Sequence, residues 1–262
     1  MKLAISNIAW EKEQDNTLYK MMKDYGYMGL EIAPTRIFPF PPYQDLSVVK
    51  SWFEEFKQIF GFEIVSMQSI WYGRNENVFN SESDRSILID YTKKAILFAS
   101  TLQCKNLVFG CPKNRIKPDN QTGNEVICFF KELGEYALKN NTTIGMEANP
   151  TIYNTNYINY TNQAVELIEK VNSEGFKLNL DLGTILYNNE DISWLKCCGN
   201  KINHVHISEP YLAAVEQRDI HYELSSMLKD VDYNGYVSIE MSRQADLKVL
   251  EKTMKYISKV FG

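Results

Sequence analysis

Histidine is scarce in this chain, with three among 262 residues. That scarcity excludes a trinuclear zinc nuclease, which would need several more imidazole ligands. Five cysteines (Cys104, Cys111, Cys128, Cys197 and Cys198) are odd in number and form no CxxC pair. A disulfide framework or cysteine zinc knuckle is therefore not expected, and the thiols read as reduced, with Cys111 at a strand end. Positive charge is also short: 28 Lys and Arg face 33 Asp and Glu, for a net charge of −5. A general nucleic-acid surface would want the opposite balance. No uninterrupted apolar stretch approaches the ~20 residues that span a bilayer, so no membrane partner is expected. The apolar part of MKLAISNIAWEKEQ is too short for a signal peptide and runs straight into charge, which predicts a cytoplasmic protein. Linkers, low-complexity tracts and abrupt shifts of composition are lacking as well, so residues 1–262 read as one domain.

What the chain does have is alternation. Eight short apolar or β-branched runs can be counted: LAIS (3–6), GLEIA (29–33), EIVSMQ (63–68), NLVFG (106–110), TIGMEA (143–148), KLNLDL (177–182), HVHIS (204–208) and YVSIEM (236–241). Amphipathic stretches follow them at Leu18–Tyr25, Leu46–Phe60, Asp84–Thr101, Asn124–Asn140, Asn162–Asn172, Ile192–Cys198, His221–Val231 and Ala245–Val260. Eight strand–helix units of this size predict an α/β fold, a (β/α)8 TIM barrel, because right-handed crossovers leave few other connections.

Four residues, Glu147, Asp181, His206 and Glu240, each close one of the last four runs. The runs begin about 25 to 35 residues apart, the length of one β/α unit. If those strands are neighbours in one barrel, all four side chains converge on its C-terminal mouth, where such barrels carry their chemistry. Three carboxylates and one imidazole suit one hard divalent cation, Mn²⁺, Co²⁺ or Mg²⁺, with open positions left for substrate oxygens. A cation so held polarises a carbonyl and stabilises the enediolate left when a neighbouring proton is removed. Glu147 and Glu240, across the mouth from each other, are the candidate acid/base pair; Asp181 and His206 read as ligands only. His204 and His206 share one strand face, and either could be the ligand. His206 is chosen because its distance to the strand end matches the other three. His221 opens the next helical segment and is a candidate to reach over the mouth.

Long segments follow the second, third and fourth runs, at 34–45, 69–84 and 111–123. Connections of this length are usually functional. Lys113 and Arg115, with Arg36 and Arg74 in the neighbouring loops, form a candidate site for a phosphate or carboxylate group. Tyr153, Asn149 and Asn154 lie close to Glu147 in sequence and are candidates for hydroxyl contacts.

GMEANP, NLDLGT, HVHISEP and YVSIEM, in that order and spacing, resemble the xylose isomerase-like barrels, and within them the sugar phosphate isomerase/epimerase group that includes the ketose 3-epimerases. The resemblance is strong from about Thr143 to Met241. The N-terminal half is similar in layout, with Trp10 in an aromatic loop after the first run and Glu31 at the end of the second. It implies that Glu147, Asp181, His206 and Glu240 are metal ligands, that both glutamates transfer protons, and that the substrate is a small carbohydrate. A homo-oligomer, dimer or tetramer, is also implied. Three positions depart from the ketose 3-epimerase pattern. Thr184 stands where a histidine follows the Asp ligand, Tyr153 where an acid follows the first Glu ligand, and Leu212 where an arginine follows the His ligand. These replacements predict a retained metal centre with altered substrate contacts, in which Trp10, Lys113, Arg115, Tyr153, Thr184 and His221 are the candidate substrate-binding residues. The reaction implied is isomerisation or epimerisation. The alternatives are dehydration of an inosose-like keto-polyol by a lyase, or a degenerate barrel that binds without turnover.

Overall fold

The computed structural model describes residues 1–262. Its eight strands are β1 (Lys2–Ser6), β2 (Gly29–Ile32), β3 (Glu63–Met67), β4 (Leu107–Phe109), β5 (Ile144–Met146), β6 (Phe176–Asp181), β7 (Ile202–Ile207) and β8 (Tyr236–Ile239). They pair in chain order and close on themselves, all in parallel, with β1 bonded to β8. This is the (β/α)8 barrel that the alternation of runs predicts.

The helices are α1 (Asp15–Asp24), α2 (Pro34–Ile37), α3 (Leu46–Phe60), α4 (Glu82–Thr101), α5 (Ile127–Lys139), α6 (Thr161–Val171), α7 (Leu182–Asn188), α8 (Asp219–Asp230) and α9 (Leu247–Phe261). Local chemistry sets several of the boundaries. Asp45 caps α3 by accepting from the N–H groups of Ser47 and Val48, and Gly61 ends that helix at φ 75°, a conformation open to glycine without strain. Ser81 caps α4 through the N–H of Asp84.

The expected sixth helix at Ile192–Cys198 is displaced. The helix after β6 is α7, which starts directly on Asp181, and residues Ser193–Lys201 form 3₁₀ turns instead. Asp181 both ends the strand and accepts from the Thr184 N–H at 2.7 Å, so strand end and helix cap are one residue.

Alternate strand residues point outward and build the core against the helices, among them Leu30, Ile32, Leu107, Phe109, Leu178, Leu180, Val205 and Ile207, all buried. Aromatic edge-to-face contacts continue this core, as between Trp71 and Phe109 and between Phe109 and Phe130. The inward positions are unusual for such a barrel, where branched apolar side chains normally fill the interior. Here Ser6, Glu31, Ser66, Asn106, Asn179, His204, His206 and Ser238 are polar and buried. All but His204 and Ser238 join a hydrogen-bonded layer beneath the C-terminal mouth: the Asn106 amide donates to Ser66 Oγ and Asn179 Oδ1, and Gln68 Nε2 donates to Ser6 Oγ.

Candidate active site

The strand register brings together the four residues that sequence spacing singles out. Asp181 on β6 is paired with His206 on β7, and Glu147 and Glu240 follow the last residues of β5 and β8. One donor atom from each of Glu147, Asp181, His206 and Glu240 lies within 4.8 Å of the others. His206 Nδ1 is 3.0 Å from Glu147 Oε1 and 3.1 Å from Glu240 Oε2. All four residues are at most 9% exposed.

Asp181, Glu147 and His206 are each held from behind, while Glu240 meets only His206. Asp181 accepts from Ser208 Oγ on one oxygen, and from both the backbone and the hydroxyl of Thr184 on the other, the latter at 2.7 Å. The Glu147 oxygens take one amide each, Asn179 Nδ2 at 2.8 Å and Asn149 Nδ2 at 3.0 Å. Gly110, just past the end of the neighbouring β4, leaves room for this pair, since a Cβ there would sit 2.8 Å from Glu147 Oε2.

His206 turns its second nitrogen away from the cluster. Its Nε2 lies 2.9 Å from Oε2 of Glu31, a fully buried carboxylate on β2. Glu31 Oε1 accepts from Gln68 Nε2 at 3.0 Å. This pairing favours a proton on Nε2, so that a cation bound among the carboxylates would meet the Nδ1 lone pair, as when a carboxylate orients a ligating imidazole. His204, one inward position below, lies 3.1 Å from the same Glu31 oxygen without hydrogen-bond alignment.

The electrostatics leave the cluster short of positive charge. Burial, then the Glu147 charge, raises Asp181 above the usual carboxylate range. Burial pushes Glu240 up to about 7, against the pull of His206. Burial lowers the basicity of His206, but Glu240 and Glu31 outweigh it and hold the imidazole well above its usual value. Glu31 goes the other way: burial would raise it, yet His206 and His204 together keep it well below the usual range. No lysine or arginine pairs with Glu147, Asp181 or Glu240. Three buried carboxylates converging on one imidazole match the donor chemistry of a hard divalent cation.

A cavity of about 380 Å³ opens above this floor, within the range of small-molecule sites. Its walls come from the loops after β3, β4, β5 and β7, and include Trp71, Cys111, Lys113, Tyr153 and Leu212. The remaining candidates divide. Lys113 lines the cavity, is exposed and forms no ion pair. Tyr153 lines it too, its phenol raised by burial and by the Asp181 and Glu240 charges. Thr184 orients Asp181 through its N–H, and its single hydroxyl proton is shared between Asp181 Oδ2 at 2.7 Å and the Ala148 carbonyl at 2.8 Å, so the hydroxyl is committed below the cavity.

Three expectations are corrected. Arg115 does not present its charge to the cavity: it is fully buried and donates from Nη2 to Asn149 Oδ1 at 2.7 Å. His221 is buried between α8 and α9, with Nδ1 2.9 Å from the Tyr256 hydroxyl, because the segment carrying it turns away from the mouth. Trp10 is closed into a cluster with Asp15, to which its indole donates at 2.7 Å, and Arg36, which covers its ring. The other cations of the candidate anion site are paired, Arg36 with Asp15 and Arg74 with Glu76, and Glu209 is paired with Arg218.

Sequence reasoning passed over Glu31, Asn179 and Asn149 as supports of the donor cluster. A signal was present for two of them: Glu31 is a lone charge inside the apolar run GLEI, and in KLNLDL Asn179 is two residues from Asp181 and so shares its strand face.

The profile of the xylose isomerase-like TIM barrel family matches residues 19–260. Among solved structures, D-psicose 3-epimerase from Clostridium cellulolyticum H10, crystallised with D-tagatose, superposes with a TM-score of 0.80 at 16% identity, over 100% of this chain and 99% of that one. The 3-keto-D-glucoside 4-epimerase of E. coli gives 0.74 at 16%, covering 99% of each chain. The IolI protein with a bound zinc atom gives 0.71 at 18%, covering 99% of this chain and 96% of that one. No curated protein matches the chain by sequence. With the donor cluster at the mouth of a closed eight-stranded barrel and the family profile spanning nearly its whole length, the chain belongs to the xylose isomerase-like TIM barrel family.

Proposed function

We propose that this protein is a divalent-metal-dependent isomerase or epimerase of a small sugar, sugar phosphate or related keto-polyol. The observation that carries the reading is the buried set of three carboxylates and one imidazole beneath a cavity of monosaccharide size. The sugar epimerases among the structural neighbours agree with it.

Glu147, Asp181, His206 and Glu240 would hold the ion, Mn²⁺, Co²⁺ or Mg²⁺. When bound there, the cation would supply Lewis acidity to a substrate carbonyl. The protein's own groups do the rest. Asp181, fixed by Ser208 and Thr184, and His206, fixed by Glu31, keep a constant geometry. Glu147 and Glu240 approach from the ends of β5 and β8, one to take the proton from the carbon beside the carbonyl and the other to return a proton. Trp71 and Leu212 line the cavity and limit water around the reacting carbon. Lys113 is an unpaired cation at its edge and suits a phosphate or carboxylate on the substrate.

Tyr153 favours a second reading. Its phenol lines the cavity and burial keeps it protonated, so it could give a proton to a leaving hydroxyl in a dehydration.

The test is to incubate the Mn²⁺-supplemented protein in D₂O with ketoses, ketose phosphates and inososes, and to follow the products by mass spectrometry. Deuterium incorporation at carbon, lost in Glu147→Gln and Glu240→Gln, is the expected result. Loss of water from the product would select the lyase. Undiminished turnover in either variant would remove that glutamate from proton transfer.

A further inference from the structure

Arg115 poses a physical question. It follows β4 at the end of the Pro112–Arg115 turn, and none of its surface is exposed. A guanidinium has five N–H donors and no acceptor. Here one bond is made, from Nη2 to Asn149 Oδ1 at 2.7 Å, while Nε and Nη1 meet no protein acceptor and no carboxylate forms an ion pair with it. An apolar side chain of similar length would be far less costly to bury.

Its position relative to Glu147 gives the charge a use. Asn149 stands between them, with Oδ1 toward Arg115 and Nδ2 toward Glu147 Oε2 at 3.0 Å. An amide has one accepting and one donating end. Because Arg115 can only donate, it fixes which end Asn149 turns to Glu147. The reversed amide would set its oxygen against the carboxylate and its NH₂ against the guanidinium, two repulsions at once. The Asn149 backbone is held as well, its N–H on the Ile158 carbonyl and its carbonyl accepting from Asn159 Nδ2. Gly110 keeps any β4 side chain from wedging in, since a Cβ there would lie 3.2 Å from Asn149 Oδ1.

We propose that Arg115 is a positioning residue: acting through Asn149, it sets the direction of the hydrogen bond that holds the Glu147 carboxylate at the cavity floor. The inference rests on the reading of Glu147 as a metal donor, and it explains why this loop buries a charge that never reaches the cavity.

The experiment is a double-mutant cycle read by Co²⁺ alone. Co²⁺ affinity, from the visible absorption of the titrated protein, is measured for wild type, Arg115→Met, Asn149→Leu and the double variant. Loss of a group that orients a ligand weakens metal binding about 10- to 100-fold. Each single variant is expected to fall in that range, and the double variant to be no weaker than the worse single one. Arg115→Lys, which keeps a donor, recovers most of the loss. Wild-type affinity in Arg115→Met, or losses that multiply in the double variant, would overturn the relay.

If Arg115→Met does not fold, Asn149→Asp keeps the shape but turns an acceptor toward Glu147. The same loss is then expected, and wild-type affinity overturns the relay. A second readout needs no metal. The Asn149 side-chain amide, observed by ¹⁵N–¹H NMR and assigned by its disappearance in Asn149→Asp, should exchange slowly with solvent in wild type and in Arg115→Lys, and rapidly in Arg115→Met or Arg115→Leu. Unchanged exchange overturns the proposal. Failure of the wild-type protein to bind Co²⁺ would remove the metal reading, while the amide signal would still decide the relay.

Discussion

Replacing Glu31 by Gln changes one buried atom and should cost the site much of its metal affinity. Glu31 Oε1 accepts from Gln68 Nε2 at 3.0 Å, and that same Gln68 nitrogen donates to Ser6 Oγ at 2.8 Å. A glutamine at 31 would meet this donor with its carbonyl oxygen, turning its NH₂ toward His206 Nε2, which now lies 2.9 Å from the carboxylate. An NH₂ facing Nε2 requires that nitrogen to accept, which moves the imidazole proton to Nδ1. Nδ1 is the atom 3.0 and 3.1 Å from the Glu147 and Glu240 oxygens, and a protonated nitrogen cannot ligate. Losses of this kind run about 10- to 100-fold in affinity, or roughly 1.4–2.7 kcal/mol. The assay is isothermal titration with Mn²⁺ on wild type and Glu31→Gln, with a melting curve to show that both are folded. Equal affinities would refute the tautomer account of Glu31 while leaving the four donors in place.

Further outcomes follow from the same geometry. Mn²⁺ affinity should rise with pH, because protons compete for the donors: Glu240, pushed to about 7 by burial, changes its ionised fraction about tenfold between about pH 6 and about pH 8, and His206 steepens the dependence. Titrations that show a flat or falling affinity over that range would contradict this. Lys113→Gln should raise KM several-fold for a phosphorylated or carboxylated substrate and leave a neutral one nearly unchanged; equal effects in steady-state kinetics would argue against an anion contact. Thr184→Val removes hydroxyl bonds to Asp181 and to the Ala148 carbonyl, both buried, and should lower stability by about 2 kcal/mol in urea unfolding. No change in the unfolding midpoint would show that Asp181 needs no such support.

The barrel and the convergence of Glu147, Asp181, His206 and Glu240 were legible in the sequence because both rest on short-range periodicity. A strand run is apolar on its outward face whatever else it does, and a β/α unit has a nearly fixed length, so strand ends fall into register once the barrel closes. Glu147, Asp181, His206 and Glu240 could therefore be placed side by side without knowing any contact. What lies beneath them could not. Glu31 and His206 are 175 residues apart in the chain, and their pairing is set by barrel closure.

Loops were harder still. Lys113 and Arg115 are two residues apart and alike in charge, yet one lines the cavity and the other is buried behind Asn149, a difference fixed by the 3₁₀ turn that carries them. His221 was misjudged for a similar reason: its helix starts at Asp219, past the end of a long connection, and turns its imidazole to Tyr256 and the outer layer. Helix α7 escaped detection because it is seven residues long and capped by a residue already assigned to the strand.

The most direct test is metal binding by the purified protein, measured by elemental analysis and a Mn²⁺ titration alongside Glu240→Gln. The account predicts near-stoichiometric binding of one divalent ion to the wild type, abolished or strongly weakened in the variant. A folded wild-type protein that binds no divalent ion would contradict it and favour a barrel that binds its ligand without turnover.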